Sequence, residues 1–441
     1  MHVVRAAERR RGGVGQGVLT DTRFADAGLT RSGGALHLGG AALTAIAEQV
    51  GTPVYVYNAA AIRERYRSLE SALGALPHRI CYAVKANSTL AVLRILRDLG
   101  SGADIVSGGE MARVLAAGFA PERIVFSGVG KATAELRQAV RARLGHLNVE
   151  SVEELHRLAA IADEERIDVA VGIRVNPDVT TDTHPYISTG KSGIKFGVPV
   201  DQVLDAAAFI AGHPRLRLTT IAMHLGSQLS DTEPFRQGIG HLLELAERLR
   251  ATGSHAIRVV DIGGGLGIRY ADERSMDPAT FAEAVVPLLA PTGYTVYLEP
   301  GRFLVGSAGV LVTEVLYRKH SGGKEFVVVD AGMNDLVRPS HYQAYHEIVE
   351  LEEGARPALR VDVVGPVCET GDFLALDRTL PDVGAGDRLA VLGAGAYGFV
   401  MASNYNTRPR PAEVVVDGGR WWVARPRERV EQLFHDERMS P

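Results

Sequence analysis

Eight short apolar runs alternate with helix-patterned stretches, and this alternation constrains the fold more than any other feature of the chain. The runs are Ile80 to Val84, Ala103 to Val106, Ile124 to Phe126, His146 to Val149, Val169 to Val175, Thr219 to Met223, Val259 to Ile262 and Thr295 to Leu298. Each is short and rich in β-branched residues, as a buried strand requires. Between them, Leu90 to Leu99, Gly109 to Ala117, Val152 to Ala162 and Phe235 to Ala251 carry helical periodicity. Eight strand–helix units over about 250 residues predict a (β/α)8 barrel, whose active site is built from the loops at the C-terminal ends of the strands.

Polar and glycine residues gather at those ends. Lys85 follows the first strand, Ser107-Gly108-Gly109-Glu110 the second, Ser127-Gly128 the third, Glu150-Ser151 the fourth and Asn176 the fifth. His224 and Ser227 follow the sixth, Gly263-Gly264-Gly265 the seventh and Glu299-Pro300-Gly301-Arg302 the eighth. Only six of the 48 basic residues are lysines, so a lysine delivered by the apolar run of Cys81 to Asn87 invites attention. A buried lysine is costly as a cation and its pKa readily falls, which favours a nucleophilic, Schiff-base-forming amine; the plainer alternative is a lysine that snorkels into solvent.

The glycines after the seventh strand do not fit the dinucleotide fingerprint, which needs glycine at Ile268 or Tyr270. They suit a phosphate cradle of backbone N–H groups, or simply a tight loop. Gly190-Lys191-Ser192 resembles the end of a P-loop, but Pro185 stands where the earlier glycine belongs. A lysine amine, a phosphate cradle, a carboxylate and a histidine in one barrel mouth suggest pyridoxal 5'-phosphate. Lys85 would hold it covalently, the glycine turn and Arg302 would reach its phosphate, Glu299 would pair with the pyridine nitrogen, and His224 would cover the ring.

Composition excludes other classes. A net charge of −4 gives no footprint for nucleic acid or an anionic membrane. No apolar run reaches the ~18 residues of a membrane span. Two cysteines, Cys81 and Cys368, rule out a disulfide framework and point to a reducing compartment. A soluble cytoplasmic protein is expected. Residues 1–34, Arg- and Gly-rich and without hydrophobic period, are expected to be a disordered tail. The barrel is placed at 50–308. Residues 35–49 and 309–441 are assigned to a second, antiparallel β-rich domain, from runs at Val310 to Tyr317, Glu325 to Val329, Leu359 to Val364 and Arg388 to Leu392. Turns at Ser321-Gly322-Gly323 and Asp417-Gly418-Gly419 punctuate that region.

Several long motifs then carry a resemblance: YAVKAN at Tyr82, HPYISTG at His184, HLGSQ at His224, DIGGGLG at Asp261, EPGR at Glu299, DAGMNDLVRP at Asp330, GPVCETGD at Gly365 and GAYGFVMASNYN at Gly395. From about residue 35 to 425 the sequence resembles the fold-type III pyridoxal-phosphate decarboxylases, and among them those that act on meso-2,6-diaminopimelate. The resemblance implies a barrel joined to a β-rich domain drawn from both chain ends, and a homodimer with shared active sites. It implies that Lys85 carries the cofactor, with Ser227, Gly301 and Tyr397 among the residues contacting it, and that Cys368 donates the proton replacing the lost carboxylate. It also implies that Arg302, Arg338, Tyr342, Glu369 and Tyr397 bind substrate. The chemistry suits the substrate: its retained carboxylate needs a bidentate guanidinium and its retained ammonium a carboxylate. A decarboxylase of the same fold acting on ornithine, arginine or a carboxylated polyamine is the alternative enzyme; an idle cofactor-binding or scaffold protein is the alternative outside enzymes.

Overall fold

The computed structural model describes residues 22–177, 195–252, 256–273 and 275–439. The HPYISTG motif at His184 and the tripeptide Gly190-Lys191-Ser192 lie outside these residues. Order begins earlier than composition suggests. A helix at Thr22–Ala27 leads into β1 (Leu29–Ser32), which pairs antiparallel with β2 (Ala35–Leu38), and β2 with β3 (Ala41–Ala42). Phe24, Ala27 and Leu29 bury with Leu36 and Leu38 in one apolar cluster, so a few apolar residues spaced through a polar stretch anchor it. The expected tail to residue 34 is therefore too long by the described residues 22–34.

After the helix Leu43–Val50 comes β4 (Val54–Asn58), buried at every position. Expected inside the barrel range, it lies instead in the second sheet. The helix Ala59–Ala72 then carries the chain to the barrel. There β5 (His78–Ala83), β6 (Gly102–Ile105), β7 (Ile124–Phe126), β8 (His146–Val149), β9 (Val169–Val175), β10 (Leu216–Met223), β11 (Val259–Asp261) and β12 (Thr295–Leu298) close in that order, all parallel. The eight strands are the eight apolar runs.

Local sequence sets the helix starts at the mouth. Ser107 Oγ accepts from the Glu110 N–H at 3.2 Å while the Glu110 carboxylate accepts from the Val106 N–H at 2.8 Å. Ser151 and Glu154 repeat the arrangement after β8, at 3.1 Å to the Glu154 N–H and 3.1 Å from the Glu150 N–H. These reciprocal caps satisfy N–H groups that open a helix. Low in the barrel, Cys81 packs with Val125, Val259 and Tyr297, and burial pushes its thiol well up; it is a small hydrophobe, as its place in a strand predicts.

The second sheet has nine strands. Its path runs β17 (Phe373–Pro381), β16 (Ala358–Val364), β14 (Lys324–Val329), β13 (Gly309–Ser321), β4, β19 (Ala412–Asp417), β20 (Arg420–Arg425), with β18 (Arg388–Val391) on β13 and β15 (Ile348–Glu350) on β18. Both glycine turns named above close hairpins, β13–β14 and β19–β20. The sheet is mixed rather than antiparallel, because β14 pairs parallel with β16 and β4 with β19. The second pairing follows from chain order: β4 comes from before the barrel and β19 from near the end, so no hairpin joins them. Among the described residues no helix is long and apolar enough to cross a membrane.

Candidate active site

The top layer of the barrel interior is polar. Asp104 on β6, Ser127 after β7, Asn148 on β8, Asp261 on β11 and Glu299 after β12 are all buried. Lys85 sits in a single 3-10 turn directly after β5, and its Nζ meets Asp104 Oδ2 at 2.7 Å. Burial alone would lower its pKa, as expected from sequence, but the Asp104 and Glu299 carboxylates reverse the sign and raise it. In this state the amine is a held ammonium. Its side chain remains 34% exposed, open to the mouth.

The carboxylates outnumber the cation beside them. Burial, reinforced by Asp104 and Asp261, pushes Glu299 well above the carboxylate range. Asp261, pushed up to about 6 chiefly by burial, accepts from the Gly263 N–H at 2.9 Å and hydrogen-bonds Glu299. Glu299 is thus the protonated member of the pair. Asp104 Oδ1 has no hydrogen-bond partner among the described residues, an unusual state for a buried oxygen that marks a place for a ligand.

The Lys85 turn is fixed from the other domain. The Tyr397 N–H donates to Ala86 O at 2.8 Å, Asn87 Nδ2 donates to Gly395 O at 3.1 Å, and Thr89 Oγ1 donates to the fully buried Glu413 of β19. Gly301 closes against the turn, since a Cβ there would lie 3.0 Å from Ala86 Cβ.

The glycine turn packs against His224. Gly263 and Gly265 have φ of +71° and +118°, conformations that favour glycine, and the Gly264 N–H donates to His224 Nδ1 at 3.1 Å. Burial, with Arg174 and Lys85 nearby, holds the His224 pKa well down, so the ring is neutral and flat-faced. Arg174, on β9, pairs with Glu150 at 2.9 Å.

Arg302 turns aside from the carboxylates. Its Nη2 and Nε donate to Ser227 Oγ at 3.0 and 3.3 Å, and its Nη1 donates to Tyr270 Oη at 2.8 Å. Its Cζ lies 4.7 Å from the centre of the Tyr397 ring. Arg338, which opens the short helix Arg338–Tyr342, is buried, and its Nη1 donates to the same Tyr270 oxygen at 2.7 Å. Tyr342 lies near enough to act electrostatically on Arg302. Among the described residues neither Arg302 nor Arg338 has a carboxylate partner.

Cys368 and Glu369 stand apart. Both are exposed in the loop between β16 and β17, and among the described residues neither hydrogen-bonds or ion-pairs with Lys85, Glu299 or Arg302 of its own chain. The buried Asp372 carboxylate fixes this loop by accepting the Val367 and Met333 N–H groups, each at 2.6 Å. Sequence reading named no role for Asp104, Arg174, Tyr270 or His346. An acid inside the apolar run Ala103 to Val106 was the available signal for Asp104.

An orphaned carboxylate oxygen, a glycine turn, a neutral ring and a lysine beside an acid suit pyridoxal phosphate, which presents an aldehyde, a protonatable ring nitrogen and a phosphate. Residues 59–306 match the family model described as pyridoxal-dependent decarboxylase, pyridoxal binding domain. A diaminopimelate decarboxylase of Pseudomonas fluorescens is 48% identical over 93% of this chain and 98% of that protein. The crystal structure of diaminopimelate decarboxylase from Helicobacter pylori complexed with L-lysine is 40% identical, with TM-score 0.86 over 89% of this chain and 98% of that one. The one from M. jannaschi is 33% identical, with TM-score 0.90 over 95% and 99%. The cofactor is therefore pyridoxal phosphate, and the chain belongs to the diaminopimelate decarboxylases within the pyridoxal-dependent decarboxylase family.

Proposed function

We propose that this chain decarboxylates meso-2,6-diaminopimelate to L-lysine and carbon dioxide, the last step of lysine biosynthesis. One observation carries the reading: in the mouth that holds Lys85, two buried guanidiniums, Arg302 and Arg338, lack a carboxylate partner among the described residues. Unpaired buried cations are costly, and a substrate that keeps one carboxylate through the reaction supplies the missing anion. Ornithine and other substrates without a second carboxylate leave that charge unmet.

Bound pyridoxal phosphate supplies an electron sink for the carbanion left when carbon dioxide departs. Lys85 holds the cofactor through its amine and Asp104 orients that amine. Glu299, with Asp261 behind it, presents a carboxyl group to the ring nitrogen; neutral His224 flanks the ring. Gly263, Gly264, Gly265, Ser227 and Gly301 surround the phosphate. Arg302, Arg338 and Tyr342 take the retained carboxylate, and Tyr397 lies between substrate and cofactor.

Cys368 and Glu369 serve the neighbouring subunit in a homodimer, Cys368 giving its thiol proton to the carbanion and Glu369 pairing with the retained ammonium. Their exposure in a loop braced by Asp372 supports this assignment. Two free cysteines fit a cytoplasmic enzyme.

The test is carbon dioxide release with lysine formation from meso-diaminopimelate, beside ornithine and arginine, with the cofactor added. Turnover of diaminopimelate alone is expected; preferred turnover of ornithine or arginine overturns the substrate assignment. Mixing inactive Lys85→Ala and Cys368→Ala chains should restore up to about a quarter of wild-type activity through hybrid dimers. No recovery on verified subunit exchange contradicts shared sites.

A further inference from the structure

The two guanidiniums meet on one atom. Arg302 Nη1 and Arg338 Nη1 donate to Tyr270 Oη at 2.8 and 2.7 Å, and both cations also lie over the Tyr270 ring, at 5.8 and 4.6 Å from its centre. Behind Tyr270 stands His346, fully buried, its ring edge-on to the tyrosine at 5.3 Å. His346 Nδ1 lies 2.8 Å from Leu392 O, a carbonyl that can only accept, so the proton sits on Nδ1. Nε2 is then an acceptor, 3.4 Å from the same Arg338 Nη1. We propose that Tyr270, backed by His346, is a positioning residue for specificity: it holds Arg302 and Arg338 as one fork for the substrate's retained carboxylate without neutralising either.

The choice of groups is the argument. Two buried like charges repel, and a carboxylate at this point would gather them but cancel the charge needed for the ligand. A phenol oxygen accepts from both, and its ring face adds attraction to each cation. A neutral imidazole completes the cradle. Burial holds the His346 pKa down to about 3, with Arg338 reinforcing it, so the ring stays an acceptor at physiological pH. The same two arginines hold the Tyr270 phenol below its ordinary value despite its burial. Arg338 Nη2 and Nε make no hydrogen bond among the described residues and are left for the ligand.

This inference rests on the proposed clamping of the retained carboxylate, and the test separates the two. L-Lysine carries that carboxylate and cadaverine does not, so their inhibition constants against diaminopimelate turnover isolate the fork. Wild-type enzyme should bind L-lysine more tightly than cadaverine; equal binding overturns the clamp and this inference together. Tyr270→Phe should reduce the preference for L-lysine roughly ten- to hundredfold, the size of a lost hydrogen bond to a charged group. Cadaverine affinity and the absorbance of the lysine-bound cofactor should stay unchanged. A wild-type preference that survives in Tyr270→Phe, or an equal loss for both amines, overturns the role of Tyr270 and leaves the clamp standing. Should Tyr270→Phe fail to fold, His346 carries the test: His346→Leu should lower the preference and His346→Gln, which can donate and accept on both sides, should restore it. Equal behaviour of these two variants contradicts the proposal.

Discussion

The mouth of the barrel holds two buried charge clusters of opposite sign, and they are stabilised differently. On one side Asp104, Asp261 and Glu299 crowd around a single lysine; the excess negative charge is relieved by a proton on Glu299 and by the ammonium of Lys85. On the other side Arg302 and Arg338 share a neutral phenol and a neutral imidazole. Carboxylates can neutralise by taking a proton, so the first cluster adjusts itself. Guanidiniums cannot lose one in this range, so the second cluster stays charged until an anion arrives. The first region is suited to proton-coupled chemistry on a cofactor and the second to recognition.

The sharpest break between them is Lys85→Ala. Activity should fall by about four orders of magnitude or more, the scale of losing an essential covalent group, and the absorbance of the lysine-bound cofactor should vanish. Retention of that band contradicts the assignment. Arg338→Met attacks only the second region. The kcat/KM for diaminopimelate should fall roughly a hundredfold or more while cofactor affinity, measured by fluorescence titration, stays within about threefold; parallel losses would merge the two regions into one.

Asp104→Asn tests the sign of the Lys85 shift. With the nearest carboxylate gone, burial should dominate and the amine should titrate about one to three pH units lower, visible in the pH dependence of its modification by trinitrobenzenesulfonate in the cofactor-free protein. An unmoved profile means Asp104 does not hold the ammonium.

A smaller effect concerns Glu110, beside the same cluster, whose carboxyl burial pushes up to about 7. An acid with a raised native pKa binds its proton more tightly folded than unfolded, so its stabilisation is present below about pH 4.5 and is lost as pH rises to about 7. Glu110→Gln should therefore gain about 1–3 kcal/mol over wild type at pH 8 and little at pH 4.5 in urea unfolding of the cofactor-free protein. A gain equal at both pH values would refute the shift.

Most of the barrel was legible because each strand is a short, mostly apolar run, as a parallel, doubly covered sheet demands, broken only by the few polar residues that line the barrel interior or its ends. The second sheet was half legible: Val54–Asn58 fell within the range assigned to the barrel without being read as a strand, and only pairing with β13 and β19 shows which sheet owns it. Lysine scarcity flagged Lys85 but applies equally to Lys131, whose buried Nζ donates to Gly128 O and Asn148 O at 2.8 Å and pairs with Glu154 at 2.7 Å. Lys131 is fully satisfied by its own chain; scarcity alone does not separate the two lysines, and only the apolar run and the YAVKAN motif around Lys85 do. Arg338 was one arginine among many by composition and was raised only by the DAGMNDLVRP motif around it, and Tyr270 was noticed only as a position that was not glycine. The fork depends on residues far apart in sequence converging on one oxygen, which no local pattern encodes.

The central claim is that the unneutralised arginine pair selects a substrate with a second carboxylate. It is tested most directly by the wild-type kcat/KM for meso-diaminopimelate against D-lysine, which keeps the D-configured centre that loses carbon dioxide and lacks only the retained carboxylate. A site whose buried polar groups go unmet by the lesser substrate should discriminate by about four orders of magnitude; comparable values for the two would contradict the account.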